Sequence, residues 1–252
     1  MDAIILAGGL PEASAPLYSL TQGRPKAFLE VGGETMLDRV LRALEEAPSI
    51  TRIWIVGLEY SSSRSRAIFC LPDQGGLFSN GMFALKEAAK YDPTARQFLL
   101  TSSDIPALRG EMIEWLVART QQSEDDVFYN VIAREIMEQR FPGSGRTYVR
   151  LKDQEVCGGD VVVVSRRMIH EKEELWNRIF SARKNPLRLA TMIGFRTLFL
   201  LLFRRLTLTM AVSLVSQRLG IRGHVLLCPY AEMGMDVDKL AQWEILDRDL
   251  RK

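Results

Sequence analysis

The sequence predicts an α/β protein in which a mostly parallel sheet is flanked by helices, with a helical insertion near the carboxyl end. Three observations carry that expectation. Short continuous apolar runs, AIILA at 3–7 and QFLLT at 97–101 among them, end in glycine or polar turns, as strands buried on both faces do. Amphipathic stretches alternate with these runs in the order of βαβ units. Two helical patterns then follow each other over 186–203 and 206–219 and break the alternation.

In chain order, the first strand (3–7) runs into Gly8-Gly9, and a long loop leads to Pro25. Residues 34–47 read as a helix with Met36, Leu37, Val40, Leu41 and Leu44 on its apolar face, and 52–58 (RIWIVGL) reads as a strand, completing one βαβ unit. A short strand at 66–71, a DQGG loop, a helix over 81–91 and the strand at 97–101 follow. Further on come a helix at 111–121, a strand at 127–133, an irregular FPGSGRT stretch, a strand within CGGDVVVVS and a helix over 166–180. The helical pair precedes a strand at 224–228 and a closing helix at 239–250.

With 252 residues, 47% of them hydrophobic and 25% charged, the chain can bury a full core as one domain spanning 1–252. Disordered, collagen-like and disulfide-built classes are excluded. Cys70, Cys157 and Cys228 lie far apart without a CxxC or Cys/His cluster, which argues against structural zinc and fits a reducing compartment. His170 and His224 are 54 residues apart, and neither lies near another candidate ligand. The amino terminus lacks signal-peptide features, and the most apolar run, LFLLLF at 198–203, is far short of the roughly 20 residues a spanning helix needs. A cytoplasmic protein is expected.

The net charge of +2 conceals a segregation. Between 175 and 231 there is no Asp or Glu, but nine basic residues, among them Arg196, Arg204, Arg205 and Arg218. Such a segment either meets an anionic partner or forms a solvated helix face.

The chemistry-bearing residues are concentrated in a few places. Paired glycines after a buried strand let backbone N–H groups approach an anion, and Lys26, 17 residues beyond Gly9, can return to the same phosphates as a point charge. Asp104 directly follows the QFLLT strand, at the edge of a parallel sheet where ligands bind; a turn or cap role is the alternative. Asp238, with Asp236 as the fallback, stands before the last helix, either facing the crevice or capping that helix. Ser79 lies where it could contact a ligand or cap its helix, and Gly159 and Asp160 precede the VVVV strand.

LAGG, the RPKAFLEVGG segment that follows and the ETMLDRVL run resemble the nucleotidyltransferases of the sugar-phosphate and molybdenum-cofactor guanylyltransferase type. The resemblance implies a Rossmann-like nucleotide-binding fold. It also implies transfer of a nucleoside monophosphate from an NTP to a small phosphorylated acceptor, with release of pyrophosphate. By the same resemblance Ala7, Gly8, Gly9, Arg24, Lys26, Gly76 and Ser79 contact the nucleotide, Gly159 and Asp160 contact the acceptor, and Asp104 and Asp238 hold Mg²⁺. Lys26, Asp104 and Asp238 form the catalytic set. The chain departs from the pattern at Leu10, Pro11, Glu12 and Ala13, where the family usually carries a cation. That departure leaves open a protein of the same fold that binds a nucleotide or sugar phosphate without turnover. No nucleic-acid partner is expected, because the basic segment lacks interleaved aromatics and a known binding motif. The basic insertion at 181–222 has apolar faces at Leu187, Ala190, Ile193, Leu198 and Leu201, then Leu208, Ala211, Val215 and Leu219. These faces serve packing or a homodimer, or the insertion lies on an anionic membrane.

Overall fold

The computed structural model describes residues 1–61, 67–170 and 194–252. The strands of its main sheet are β1 (Asp2–Leu6), β4 (Arg52–Val56), β5 (Ile68–Leu71), β6 (Gln97–Ser102), β7 (Val127–Ala133), β9 (Glu155–Ser165) and β10 (Gly223–Cys228). They lie in the order β10-β7-β9-β6-β1-β4-β5, with the short β8 (Val149–Arg150) paired to β9. β5, β4, β1 and β6 run parallel, as do β7 and β10, while β9 is antiparallel to both β6 and β7 and joins the two parallel sets.

Both faces of the parallel half are covered, which explains its unbroken apolar strands. On one face Ile5, Leu99, Phe128 and Val163 pack with Leu37 and Leu41 of α2 (Met36–Glu46) and Ile113 of α4 (Gly110–Thr120). On the other, Ile4, Val56 and Phe98 pack with Leu85 and Ala88 of α3 (Leu77–Tyr91). The remaining described helices are α1 (Tyr18–Thr21), α5 (Arg134–Arg140), α6 (Arg167–His170), α7 (Phe195–Leu202), α8 (Leu208–Leu219) and α9 (Leu240–Leu250).

The alternation and the mostly parallel sheet hold, and apart from one added helix the differences lie at element ends. The helix expected over 34–47 begins at Met36, because Glu34 and Thr35 form β3 in a ribbon with β2 (Glu30–Val31). Thr35 is its cap, accepting from the Asp38 N–H at 3.1 Å. α3 starts at Leu77 with Gly76 as the N-cap, so Ser79 lies inside the first turn, exposed, and caps nothing. The cap of α4 is Arg109, which removes the capping role for Asp104. α9 begins after Lys239, where Gln242 Oε1 accepts from the backbone N–H groups of Asp238 and Lys239, both at 2.9 Å. The capping role for Asp238 fails with it. α5 was not expected and follows β7 directly. Most of the helix expected over 166–180, residue 66 of the third strand and positions 186–193 of the insertion, with Leu187, Ala190 and Ile193, fall outside the described residues.

Candidate active site

Lys26 opens a 3-10 turn (Lys26–Phe28) whose Ala27 is buried, so the core fixes the backbone and leaves the lysine side chain to cross the sheet edge. Its Nζ donates to Asp104 Oδ2 at 2.6 Å and to Asp238 Oδ1 at 2.5 Å. Asp104 stands just past β6, at the carboxyl ends of the parallel strands, and its Oδ1 accepts from the Ser102 hydroxyl at 2.5 Å. The segment carrying Asp238 is pinned beside it by the Val237 N–H donating to the Asp104 carbonyl at 3.0 Å. Three residues far apart in sequence thus converge on one point. Burial works to lower the Lys26 pKa, but Asp104 and then Asp238 outweigh it and hold the ammonium above its ordinary value. Burial likewise works to raise Asp238, and the Lys26 ammonium holds it below the ordinary carboxylate value.

Beside this cluster lies a second one, in which the sequence singles out Asp160 and Asp236 but not Arg146. Arg146, in the FPGSGRT stretch, pairs with Asp236, donates to the Gly158 carbonyl at 3.0 Å and approaches Asp160 Oδ2 at 3.7 Å. Asp236 is therefore an internal partner of Arg146, while the Asp238 side chain is 61% exposed. Burial first, and the neighbouring Asp236 next, push the Asp160 carboxyl up to about 7 against the pull of Arg146. Arg146 Nε, Asp160 Oδ2 and Asn130 Oδ1 are buried without a hydrogen-bond partner. A lone arginine in a glycine- and proline-rich loop was the only sequence signal available for Arg146.

Gly159 lies within β9 rather than in a turn. A Cβ there would collide with the Asn130 side chain, which crosses from β7 to donate to the Val161 carbonyl, beside the register shift between Tyr129 and Val131. Close packing against Asn130 requires glycine there.

At the end of β1, Ala7 is buried and its N–H donates to the Val56 carbonyl at 3.0 Å, whereas Gly8 and Gly9 are exposed. A Cβ on Gly8 would come within 2.6 Å of Asn80 Nδ2 and 3.1 Å of the Gly57 Cα. Gly9 has φ of 101°, a conformation glycine adopts without strain. Buried Asn80 ties the 73–80 turn against this loop: its Nδ2 donates to Asp73 Oδ1 at 2.9 Å, and its Oδ1 accepts from the Gln74 N–H at 2.6 Å. The turn bearing Gly76 and Ser79 is thereby brought beside Gly8. Arg24 is exposed, with its Nε 3.5 Å from the Thr21 carbonyl, and is not drawn into the Lys26 cluster.

Asp104 and Asp238 present hard oxygen donors that converge on a single cation, here the lysine ammonium. Among the described residues no group of three or more His, Cys, Asp or Glu side chains is arranged to hold a metal. Two carboxylates suit Mg²⁺ when phosphates complete its shell.

The fold is a Rossmann-like α/β fold with its crevice at the carboxyl ends of the parallel strands. The chain belongs to the MobA-like NTP transferase domain family, whose profile matches residues 3–184. A hypothetical transferase from Thermus thermophilus is 31% identical, with a TM-score of 0.83, over 96% of this chain and 98% of that one. The fold is also that of 2-C-methyl-D-erythritol 4-phosphate cytidylyltransferase from Thermus thermophilus (13% identity, TM-score 0.56, 100% and 98% coverage). The inositol-1-phosphate CTP transferase from T. maritima shares it as well (14% identity, TM-score 0.57, 100% and 96% coverage).

Proposed function

We propose that this chain transfers a nucleoside monophosphate from an NTP to a small phosphorylated acceptor. An acceptor phosphate oxygen attacks the α-phosphorus, a new P–O bond forms, and the bond to the departing pyrophosphate breaks. The observation that carries this reading is the convergence of Lys26, Asp104 and Asp238 at 2.5 and 2.6 Å at the sheet edge that also bears Gly8 and Gly9. The chemistry needs no protein nucleophile. It needs charge neutralisation and alignment, which charged side chains gathered at one point can supply.

In this reading the exposed glycine turn lets backbone approach the triphosphate, and Lys26 leaves its carboxylates to follow the phosphates. Asp104 and Asp238 are the residues that would hold Mg²⁺, which when bound polarises phosphoryl oxygens as a Lewis acid. Ser102 orients Asp104 through its short hydrogen bond. In this reading the Arg146–Asp160 pair stands on the acceptor side. The exposed Leu10 and Glu12 supply no loop cation, so Lys26 carries that task. The two buried cysteines and exposed Cys70 are all unpaired, in keeping with work in the cytoplasm.

Pyrophosphate release is measured with each NTP, Mg²⁺ and a panel of sugar, polyol and cofactor phosphates. One pairing is expected to turn over. Nucleotide binding without pyrophosphate from any pairing would replace the transferase with a binding protein of the same fold.

A further inference from the structure

α7 presents an apolar stripe to solvent. Phe195, Phe199 and Leu202 recur at helical spacing on one face, followed by Phe203, and they are 74%, 57%, 78% and 57% exposed. The Phe199 and Phe203 rings lie 4.5 Å apart. The rest of the helix is already packed: Thr197 is buried, and Leu200 and Leu201 sit against Val131, Leu151, Val156 and Leu206. The stripe is therefore not a core face awaiting this part of the chain. Around it Arg196, Arg204 and Arg205 are exposed, and no acid occurs from 175 to 231. A hollow of about 500 Å³ beside Phe195 brings Arg196 and Arg218 to its wall together with Thr197 and Gln217.

We propose that α7 docks on an anionic lipid bilayer, with its aromatic stripe at the boundary between headgroups and acyl chains and its arginines on the lipid phosphates. Aromatic and leucine side chains beside a rim of exposed arginines are the composition of an interfacial helix. Charge argues for lipid over a second copy of this chain, since a two-fold interface would set the same basic surface against itself. α7 lies across the described span 194–203, and among the described residues no helix is long and apolar enough to cross a membrane, so the contact is peripheral. Val156, beneath α7, is four residues from Asp160 on β9, about 13 Å along the strand. Docking would hold the proposed acceptor end of the site close to the headgroups.

The test uses the full chain and sedimentation with two kinds of vesicle, phosphatidylcholine alone and phosphatidylcholine with one-third phosphatidylglycerol, at low and high salt. Binding is expected only to the anionic vesicles, weaker at high salt. Arg196→Glu and Arg205→Glu should each lower partitioning by about fivefold or more. Phe199→Ser with Leu202→Ser should abolish it while leaving the melting temperature unchanged, because both side chains are exposed. Three outcomes overturn the proposal. One is no binding to anionic vesicles at low salt. Another is full binding by the Phe199/Leu202 variant, which would mean electrostatic adsorption without insertion. The third is a solution dimer that this variant dissolves in a chain that ignores vesicles.

Discussion

Lys26 stands between two carboxylates that would otherwise repel each other across a gap one ammonium wide. All three side chains are partly open to water, so the pairings contribute only about 0 to 1 kcal/mol each to folding. A charge-assisted contact to a bound phosphate contributes about 1.5 to 3 kcal/mol. Lys26→Ala is therefore expected to weaken NTP binding by about 10- to 150-fold in calorimetric titration, with a melting temperature within a few degrees of the parent. Unchanged affinity would remove Lys26 from the site. The neighbouring aspartates should separate in the opposite sense. Asp238→Asn alters a partly exposed carboxylate proposed to hold Mg²⁺ and is expected to abolish turnover with little loss of stability. Asp236→Asn strips buried Arg146 of its closest partner, at a cost of about 3 kcal/mol, or roughly 6 to 12 °C in a chain of this size, and spares more of the activity. Paired assays of turnover and thermal unfolding on both variants check this; a reversed order would assign the two aspartates the other way round.

Among the elements, α5 and α9 are fastened to each other by one arginine. Arg140 forks onto Asp249 at 2.9 and 2.6 Å and donates from Nε to buried Glu232 at 2.9 Å. The Arg140 hydrogen bonds are the main cause that holds the Asp249 carboxyl below its ordinary value. A depressed carboxylate stabilises the fold above its unfolded pKa, and that contribution is lost as pH falls through the folded value. Acid titration of the parent should thus show stability falling below about pH 4, and in Arg140→Ala the Asp249 share of that slope should vanish along with about 1 kcal/mol at neutral pH. Denaturant midpoints across a pH series measure both; an unaltered acid slope would show that the pair does not tie α9 down. This contact was invisible in the sequence because α5 is only seven residues long, too short for helical periodicity to register, and abuts the FPGSGRT stretch that reads as loop. The long elements, α2, α3 and the buried strands, were legible because their patterns repeat over several turns or alternations. Ends were less so. Gly76 rather than Ser79 starts α3, since buried Asn80 and Asp73 already organise that turn through side-chain hydrogen bonds that no local pattern reveals. Asp104 could be picked out as a strand-end residue, and Lys26 and Asp238 by their place in motifs that resemble the family's, whereas Arg146 and Asn130 gained their roles only when β7, β9 and the 141–148 loop came together.

At the scale of the molecule, the sheet has a firm half and a thin one. β1, β4 and β6 are covered on both faces, and β9 adds Val161 and Val163 to the same core. β10 is an edge strand with Leu227 53% exposed, α8 has no buried residue along its length, and in α7 Thr197 is the buried one. Apolar burial provides most of the free energy that opposes opening, so the two halves should not open together. Native-state hydrogen exchange is expected to find the amides of β1, β6 and β9 exchanging only through global unfolding. Those of α7, α8 and β10 should exchange through a smaller opening that lies several kcal/mol below the global value and depends less on denaturant. β7 marks the boundary, because it pairs with β9 on one side and β10 on the other. Equal protection in α8 and β6 would mean that the carboxyl-terminal helices are as integral to the core as the parallel strands. A lower opening free energy confined to α7, α8 and β10 would leave the Lys26–Asp104–Asp238 cluster preorganised while the basic surface rearranges. That separation is possible because Asp104 and the 236–238 segment are anchored through β6 and α9 rather than through the helices at 195–219.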